Sequence, residues 1–350
     1  MKQIYLFVSI FALSIFSLNA QTTDVAVGIN NPYRLALSGN DLYISEFNNG
    51  IISKLDITAP LPTTKINVAT GLNRPMGLVV SGNFIYVTEH FGNKITKIDV
   101  STPTPTKSTL VSGLNNPSGI AIKGDFLYFA EATSNTVSKI DLTAITPTIQ
   151  TVATGLNSPY AITFDNDDLY IAELGANKVS KLDITLGATT ATNFVTGFST
   201  PIDLTVNGTD LYVAEYSGNK VSKVEMTAAT PLKVDLVSGV SSPIGLAVSP
   251  SDLYIAEFDA NKISKYALPT LSVNTFELMN TIKLYPNPSS DFINISNLDK
   301  AVSYEVFNSL GQQVLKGTVE NNQSIDIQNL SSDLYLFRLQ DGNTLKFIKK

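Results

Sequence analysis

One stretch of this chain recurs six times, and the recurrence leaves few folds open. Its fourth copy reads Gly155-Leu156-Asn157-Ser158-Pro159, then Ala161-Ile162-Thr163-Phe164, Asp168-Leu169-Tyr170-Ile171-Ala172-Glu173 and Asn177-Lys178-Val179-Ser180-Lys181. The copies open at Pro32, Pro75, Pro117, Pro159, Pro201 and Pro243. Their L-Y-[IV]-A-E-like runs close at Glu46, Glu89, Glu131, Glu173, Glu215 and Glu257. Both series step by 43 once and by 42 four times. A fixed period of this length, made of short strand-like runs, marks a repeat array.

Each repeat contains four such runs. An apolar run follows the Pro, as in Gly119-Ile120-Ala121-Ile122. A Gly/Asn turn leads to the β-branched and aromatic L-Y-I-A-E run, and a second turn leads to an alternating run such as Lys94-Ile95-Thr96-Lys97-Ile98. After a Thr/Pro-rich loop the unit ends on Thr151-Val152-Ala153-Thr154-Gly155 or its equivalent. This is the chemistry of four short strands joined by turns. A lone sheet of this size buries too few large apolar side chains, at roughly 1.5–3 kcal/mol each. It cannot offset the about 1–2 kcal/mol of backbone entropy lost per ordered residue. The sheets must therefore stack, and four-stranded antiparallel units stacked radially make a β-propeller.

The ends of the array predict closure. The sixth repeat runs through Ile263-Ser264-Lys265-Tyr266 and then lacks its last strand. The missing piece stands at the front, where Val25-Ala26-Val27-Gly28 matches Val152-Ala153-Thr154-Gly155. The expectation is an all-β, six-bladed propeller over residues 24–268, with the N-terminal strand completing the last blade and removing exposed sheet edges. Small residues at alternate positions (Gly119 and Ala121, Gly245 and Ala247) suit a crowded innermost strand. Tyr43, Tyr86, Tyr128, Tyr170, Tyr212 and Tyr254 share one register and are expected to pack between blades.

The pattern P-x-G-[LI]-A-V, L-Y-[IV]-A-E, N-K-[IV]-S-K resembles the NHL-repeat and related six-bladed propellers over residues 24–268. That resemblance implies a fold but no single activity, since such propellers serve as enzymes, scaffolds and ligand binders. The Trp-Asp repeat family is disfavoured because the chain has no Trp.

The period stops after Tyr266. Residues 269–281 read as a linker, and 282–350 hold about seven short alternating strands, the pattern of a small Ig-like β-sandwich. Its landmarks are Leu284-Tyr285-Pro286-Asn287-Pro288, the N-x-x-G-Q-x-V segment Asn308 to Val314 with Gly311, the L-Y-x-x-R-L strand Leu334 to Leu339, and the basic end at Lys349 and Lys350. In this order they resemble the C-terminal sorting domain of type IX secretion cargo in Bacteroidetes. The resemblance implies export across the inner membrane and recognition by the type IX machinery. Cleavage of the domain then leaves the cargo on the surface or released. One departure is Asp333, where the family has Gly, and it is expected to alter one turn. The competing reading is an ordinary adhesive sandwich module.

The front of the chain fits this route. Lys2 precedes an apolar run from Ile4 to Leu18, and Leu18-Asn19-Ala20 ends residues 1–20 on a small residue before Gln21, as in a cleaved signal peptide. A membrane anchor would need about 20 apolar residues. The formal charge of −6 gives no electrostatic reason to bind nucleic acid, and the absence of Cys excludes disulfides and thiolate metal sites.

Candidate functional residues fall into two sets. The six glutamates, Glu46 through Glu257, form a repeated acidic ring. Recurrence in every blade favours a structural role, each Glu accepting hydrogen bonds from the next turn or pairing with the Lys five positions on (Lys94, Lys178, Lys220, Lys262). A bound divalent cation is the functional alternative. No cofactor is otherwise expected.

The second set breaks the repeat. Two positions after each Pro stand Arg34, Gly77, Gly119, Ala161, Asp203 and Gly245, so Arg34 and Asp203 interrupt a small-residue series near one channel mouth. They either orient a polar ligand or pair with each other. Tyr33, Met76 and Tyr160, one residue after Pro, are placed to line the same mouth or to pack there. His90, the single histidine, reads as a solvated turn residue. Metal-dependent lactonases and streptogramin lyases share this overall fold, but no metal ligands of the former can be matched here. The latter depend on more than one His. No nucleophile elbow, phosphate loop or zinc motif appears. Two functions follow: a surface or secreted binding and scaffolding module for a glycan, peptide or protein, or a metal-dependent hydrolase or lactonase at the channel mouth, drawing on Asp203, Arg34 and one or two of the glutamates. The lack of Trp weighs against stacking on glycans.

Overall fold

A computed structural model describes residues 22–269, 282–298, 300–340 and 344–350. The expected signal peptide at 1–20 and nearly all of the linker at 269–281 lie outside the described residues. The chain divides into two compact units, Met1–Thr270 and Leu271–Lys350.

The described part of the first unit consists of six four-stranded antiparallel sheets. In the first, Pro32–Ser38, Asp41–Glu46, Ile51–Asp56 and Ile66–Ala69 follow one another from inside to outside. The next four sheets repeat this order, beginning at Pro75–Ser81, Pro117–Lys123, Pro159–Asp165 and Pro201–Asn207. The sixth begins at Pro243–Val248, and its outer strand is Thr23–Val27, paired antiparallel with Lys262–Ala267. Each inner strand lies against those of the two neighbouring sheets, and the sixth lies against the first. The sheets therefore form a closed ring, latched by a strand from the front of the array.

Close approach explains the small residues at the second position after Pro. A Cβ on Gly77 would lie 2.2 Å from the carbonyl oxygen of Ser118, and one on Gly245 would lie 2.2 Å from that of Tyr33. Backbones this near exclude any side chain. The repeated tyrosines fill the spaces between sheets as expected. Tyr43 packs with Leu78 and Ile85 of the second sheet, and Tyr86 with Ile120 and Leu127 of the third. Burial pushes the phenol of Tyr212 up to about 12, because charging it there would be costly.

The second unit holds a three-stranded sheet and a four-stranded sheet among its described residues. Lys283–Tyr285, Phe292–Ser296 and Ser324–Asp326 make the first. Val302–Phe307, Gln313–Val319, Leu334–Leu339 and Thr344–Ile348 make the second. Ile293, Ile295 and Ile325 meet Val306, Tyr335, Phe337 and Phe347 in one core between the sheets. Alternation along Leu334–Leu339 puts every second residue into that core, as the two-residue period of a strand requires.

Candidate functional site

The residues that break the repeat converge on the ring axis and occupy one another. Arg34 Nη1 lies 2.5 Å from Asp203 Oδ1, and both side chains are buried. The same guanidinium donates to the carbonyls of Ile244 (3.2 Å) and Tyr160 (3.0 Å). One residue of the first sheet thus ties the fourth, fifth and sixth sheets together. Asp203 also accepts from the backbone N–H groups of Leu204 (2.8 Å) and Leu246 (2.7 Å). Burial pushes its carboxyl up, against the pull of Arg34 and the two N–H donors.

Tyr33 and Tyr160, the other two candidates, meet with their hydroxyls 2.6 Å apart. Tyr33 stacks on Phe47 at 5.0 Å and meets Phe258 edge-on at 6.1 Å, while Met76 is 1% exposed beside them. Of the two arrangements expected of them, lining the mouth or packing there, these side chains adopt the packed one. On the far side of the Arg34–Asp203 pair, the axis opens into a cavity of about 360 Å³ lined by all six inner strands.

The six glutamates are buried, and their bonds differ from the expected pattern. In five sheets the main-chain donor comes from the loop before the inner strand, and not from the next turn. Asn73, Asn115, Asn157, Ser199 and Ser241 donate their N–H groups to Glu89, Glu131, Glu173, Glu215 and Glu257 at 2.6–2.9 Å. That loop must be pinned because its backbone turns sharply into the Pro. In the first sheet Lys65 takes this place, at 2.5 and 2.6 Å from Glu46, and Asn49 of the following turn reaches it at 3.5 Å. The expected lysines pair as Lys94–Glu89 (3.3 Å), Lys178–Glu173 (3.2 Å) and Lys262–Glu257 (3.5 Å). Lys220 departs from the series and pairs with Asp235 at 2.9 Å, because Lys233 already serves Glu215 at 3.1 Å.

Two further contacts were missed in the sequence. The Ser or Thr seven residues after each Glu donates to it in five sheets: Ser53 (2.7 Å), Thr96, Ser138 (3.4 Å), Ser180 and Ser222. In the sixth sheet Ser264 Oγ and Glu257 Oε1 are buried without a hydrogen-bond partner among the described residues. Second, the Asn of the N-K-[IV]-S-K run clasps the next sheet. Asn93, Asn135, Asn177, Asn219 and Asn261 accept from the N–H just before the next Pro at 2.9–3.2 Å. Both were signalled by the recurrence of Ser or Thr and of Asn in that run, but the partner lies outside it. In the first sheet Gly50 replaces the Asn, and the clasp to the second sheet is absent.

His90 is half-buried rather than freely solvated. Its Nδ1 lies 3.3 Å from the Pro117 carbonyl, and its pKa is pulled down by burial. Among the described residues no group of three His, Asp or Glu side chains is placed to hold a metal, and no helix is long and apolar enough to cross a membrane.

In the second unit the separated sorting motifs meet. The Asn287 side chain donates to the Lys346 carbonyl (2.9 Å) and accepts from the Ile348 N–H (3.0 Å), so it continues the ladder of the last strand. Ser289 N bonds Ile348 O, and Lys350 N bonds Ser289 O, both at 2.9 Å. Tyr285 donates to Asn322 at 2.9 Å, and Gly311 closes its turn at φ +78°, where a side chain would be strained. Asp333 accepts from Ser309 and from the Leu334 N–H at 2.7 Å each, and its carbonyl takes the Lys349 N–H. The residue that departs from the sorting-domain pattern thus links two of that domain's motifs. Lys349 is mostly buried, which leaves Lys350 as the exposed basic end.

Comparison with known proteins places this geometry. No curated protein matches the chain. Virginiamycin B lyase from Staphylococcus aureus is similar in structure, with a TM-score of 0.53 and 20% identity over 71% of this chain and 98% of that one. The PQQ-bound aldose sugar dehydrogenase of Streptomyces coelicolor gives 0.55 and 14%, over 71% and 98%. PorZ, described as an essential bacterial surface component of the type IX secretion system of Porphyromonas gingivalis, gives 0.50 and 14%, over 90% and 51%. At these identities the likeness shows a propeller-like fold. Residues 75–110 match the LVIVD repeat. Residues 283–350 match the secretion system C-terminal sorting domain, which implies engagement with the type IX machinery and a surface or secreted location.

Proposed function

We propose that this chain is an exported binding and scaffolding module: a six-bladed, NHL-like propeller carried out of a Bacteroidetes cell by an Ig-like type IX sorting domain. The signal peptide at 1–20 would start that route, and 24–268 would be the delivered cargo. The observation that carries the reading is the state of Asp203. Its carboxylate is held by Arg34 and by two backbone N–H groups. The metal-dependent hydrolase considered above needs that carboxylate at the mouth, free to ligate. Here it is a structural tie beneath a plug of Tyr33 and Tyr160, and the six glutamates are held within their own sheets.

Thermal melting of the full chain after EDTA treatment, then with Ca²⁺, Mg²⁺, Mn²⁺ or Zn²⁺, tests this reading together with turnover on an ester and lactone panel. A ligand at 100 times its Kd adds about 2.7 kcal/mol to the folded state, which is readily seen. No shift and no turnover are expected. Metal-dependent turnover that disappears in Asp203→Asn would overturn the reading.

A further inference from the structure

The face of the ring at the Pro ends of the inner strands is built by two series of residues. One follows each Pro: Tyr33, Met76, Ser118, Tyr160, Ile202 and Ile244. The other follows each Glu: Phe47, His90, Ala132, Leu174, Tyr216 and Phe258. On the first and sixth sheets both positions are large, and Tyr33, Phe47 and Phe258 pack into a solid aromatic patch. On the third sheet both are the smallest of their series, Ser118 and Ala132. An open depression of about 470 Å³ lies there, reaching His90 on one side and Tyr160 and Leu174 on the other. That volume falls within the roughly 300–1,000 Å³ of small-molecule sites.

The chemistry of this depression is uniform. Its polar lining consists of amides, hydroxyls and an imidazole, with no Asp, Glu, Lys or Arg. Internal bonds orient these groups. Asn116 accepts from Thr133 Oγ1 at 2.8 Å, and its Nδ2 lies 3.4 Å from His90 Nε2. Asn135 accepts from Ser158 N at 2.9 Å, which occupies its oxygen and leaves its NH₂ as a donor. Gly175 makes room for the Asn157 carboxamide, whose Oδ1 stands 2.2 Å from where a Cβ would be. Tyr160, Leu174 and Ala132 supply apolar surface beside these groups.

We propose that this depression binds an uncharged pyranose unit of a glycan. Neutral amides and hydroxyls are matched to sugar hydroxyls, which both donate and accept. The apolar surface is matched to the C–H face of the ring, with Tyr160 supplying the aromatic surface that Trp does not. A phosphate or carboxylate ligand would meet no cation here to offset the hydration it gives up on contact. This inference rests on the binding-module reading above and names its ligand class.

The test is saturation-transfer NMR and titration of the full chain with methyl glycosides of glucose, galactose, mannose and N-acetylglucosamine, beside glucuronic and N-acetylneuraminic acids. At least one neutral glycoside is expected to bind. Ala132→Phe, at a half-exposed position, fills the depression and is expected to weaken binding at least tenfold without lowering Tm. Asn157→Ala, which removes a polar group and adds no bulk, is expected to weaken it similarly. Binding of the acidic sugars alone, or of none, overturns the proposal, as does an Ala132→Phe affinity within twofold of wild type. Metal-dependent turnover instead sinks the binding-module reading. A chain with neither turnover nor sugar binding keeps that reading and loses this one.

Discussion

Arg34 of the first sheet and Asp203 of the fifth meet at 2.5 Å on the ring axis, spanning the sixth sheet between them. Neither has an equivalent in any other repeat. The pair closes the channel electrostatically where Tyr33 and Tyr160 close it sterically. A buried ion pair is weak evidence of net stabilisation, but removing one partner leaves an uncompensated charge.

Asp203→Ala is therefore expected to cost about 3–5 kcal/mol in urea unfolding. The double variant Arg34→Met, Asp203→Leu should cost less than the two single variants together. It should still fall short of wild type, because the Tyr160 and Ile244 carbonyls lose their donor. A loss under about 1 kcal/mol for Asp203→Ala, typical of exposed pairs, would show that the pair is not a tie.

The clasp between sheets makes an unusual prediction at Gly50. Restoring the repeat by Gly50→Asn should destabilise, because the new Cβ would meet the Leu72 carbonyl oxygen at 2.3 Å. Asn261→Ala should also destabilise, losing a hydrogen bond of about 0.5–1.5 kcal/mol and placing Ala at a left-handed φ of 53°. Parallel thermal melts settle both, and a Gly50→Asn variant as stable as wild type would contradict the steric account.

The serines beneath the glutamates differ in a way that unfolding curves can read. Ser180→Ala removes a donor from the buried Glu173 and should cost about 1–3 kcal/mol. Ser264→Ala removes a hydroxyl that has no partner, and should be neutral or stabilising. Equal losses at the two sites would count against the assignment.

His90 should give the ring a pH dependence of definite sign. Burial lowers its pKa below the ordinary 6.5, so the unfolded chain binds the proton more readily than the folded one. Stability then rises with pH between the folded value and about 6.5. It is lost as pH falls through that window. His90→Gln should flatten this part of the stability profile, and an unchanged slope would show that His90 does not contribute to it.

The sequence by itself determined the number of repeats, the four strands in each, the latch between Val25–Gly28 and the sixth sheet, and the order of the sorting motifs. These follow from local chemistry and a fixed period. A residue repeated in every sheet meets similar packing surroundings, so Tyr170 and Tyr86 can be read alike. Positions outside the period were legible only as exceptions. Arg34 and Asp203 stood out as candidates, yet whether they faced a ligand or each other depended on curvature that brings the first and fifth sheets within reach. The same curvature decided that Ala132, the smallest of its series, leaves a depression between His90 and Tyr160. In the second unit the packing of its own two sheets decided that Asn287 reads the last strand. Contacts of this kind join residues far apart in the chain, and no local pattern encodes the distance between them before the ring has closed.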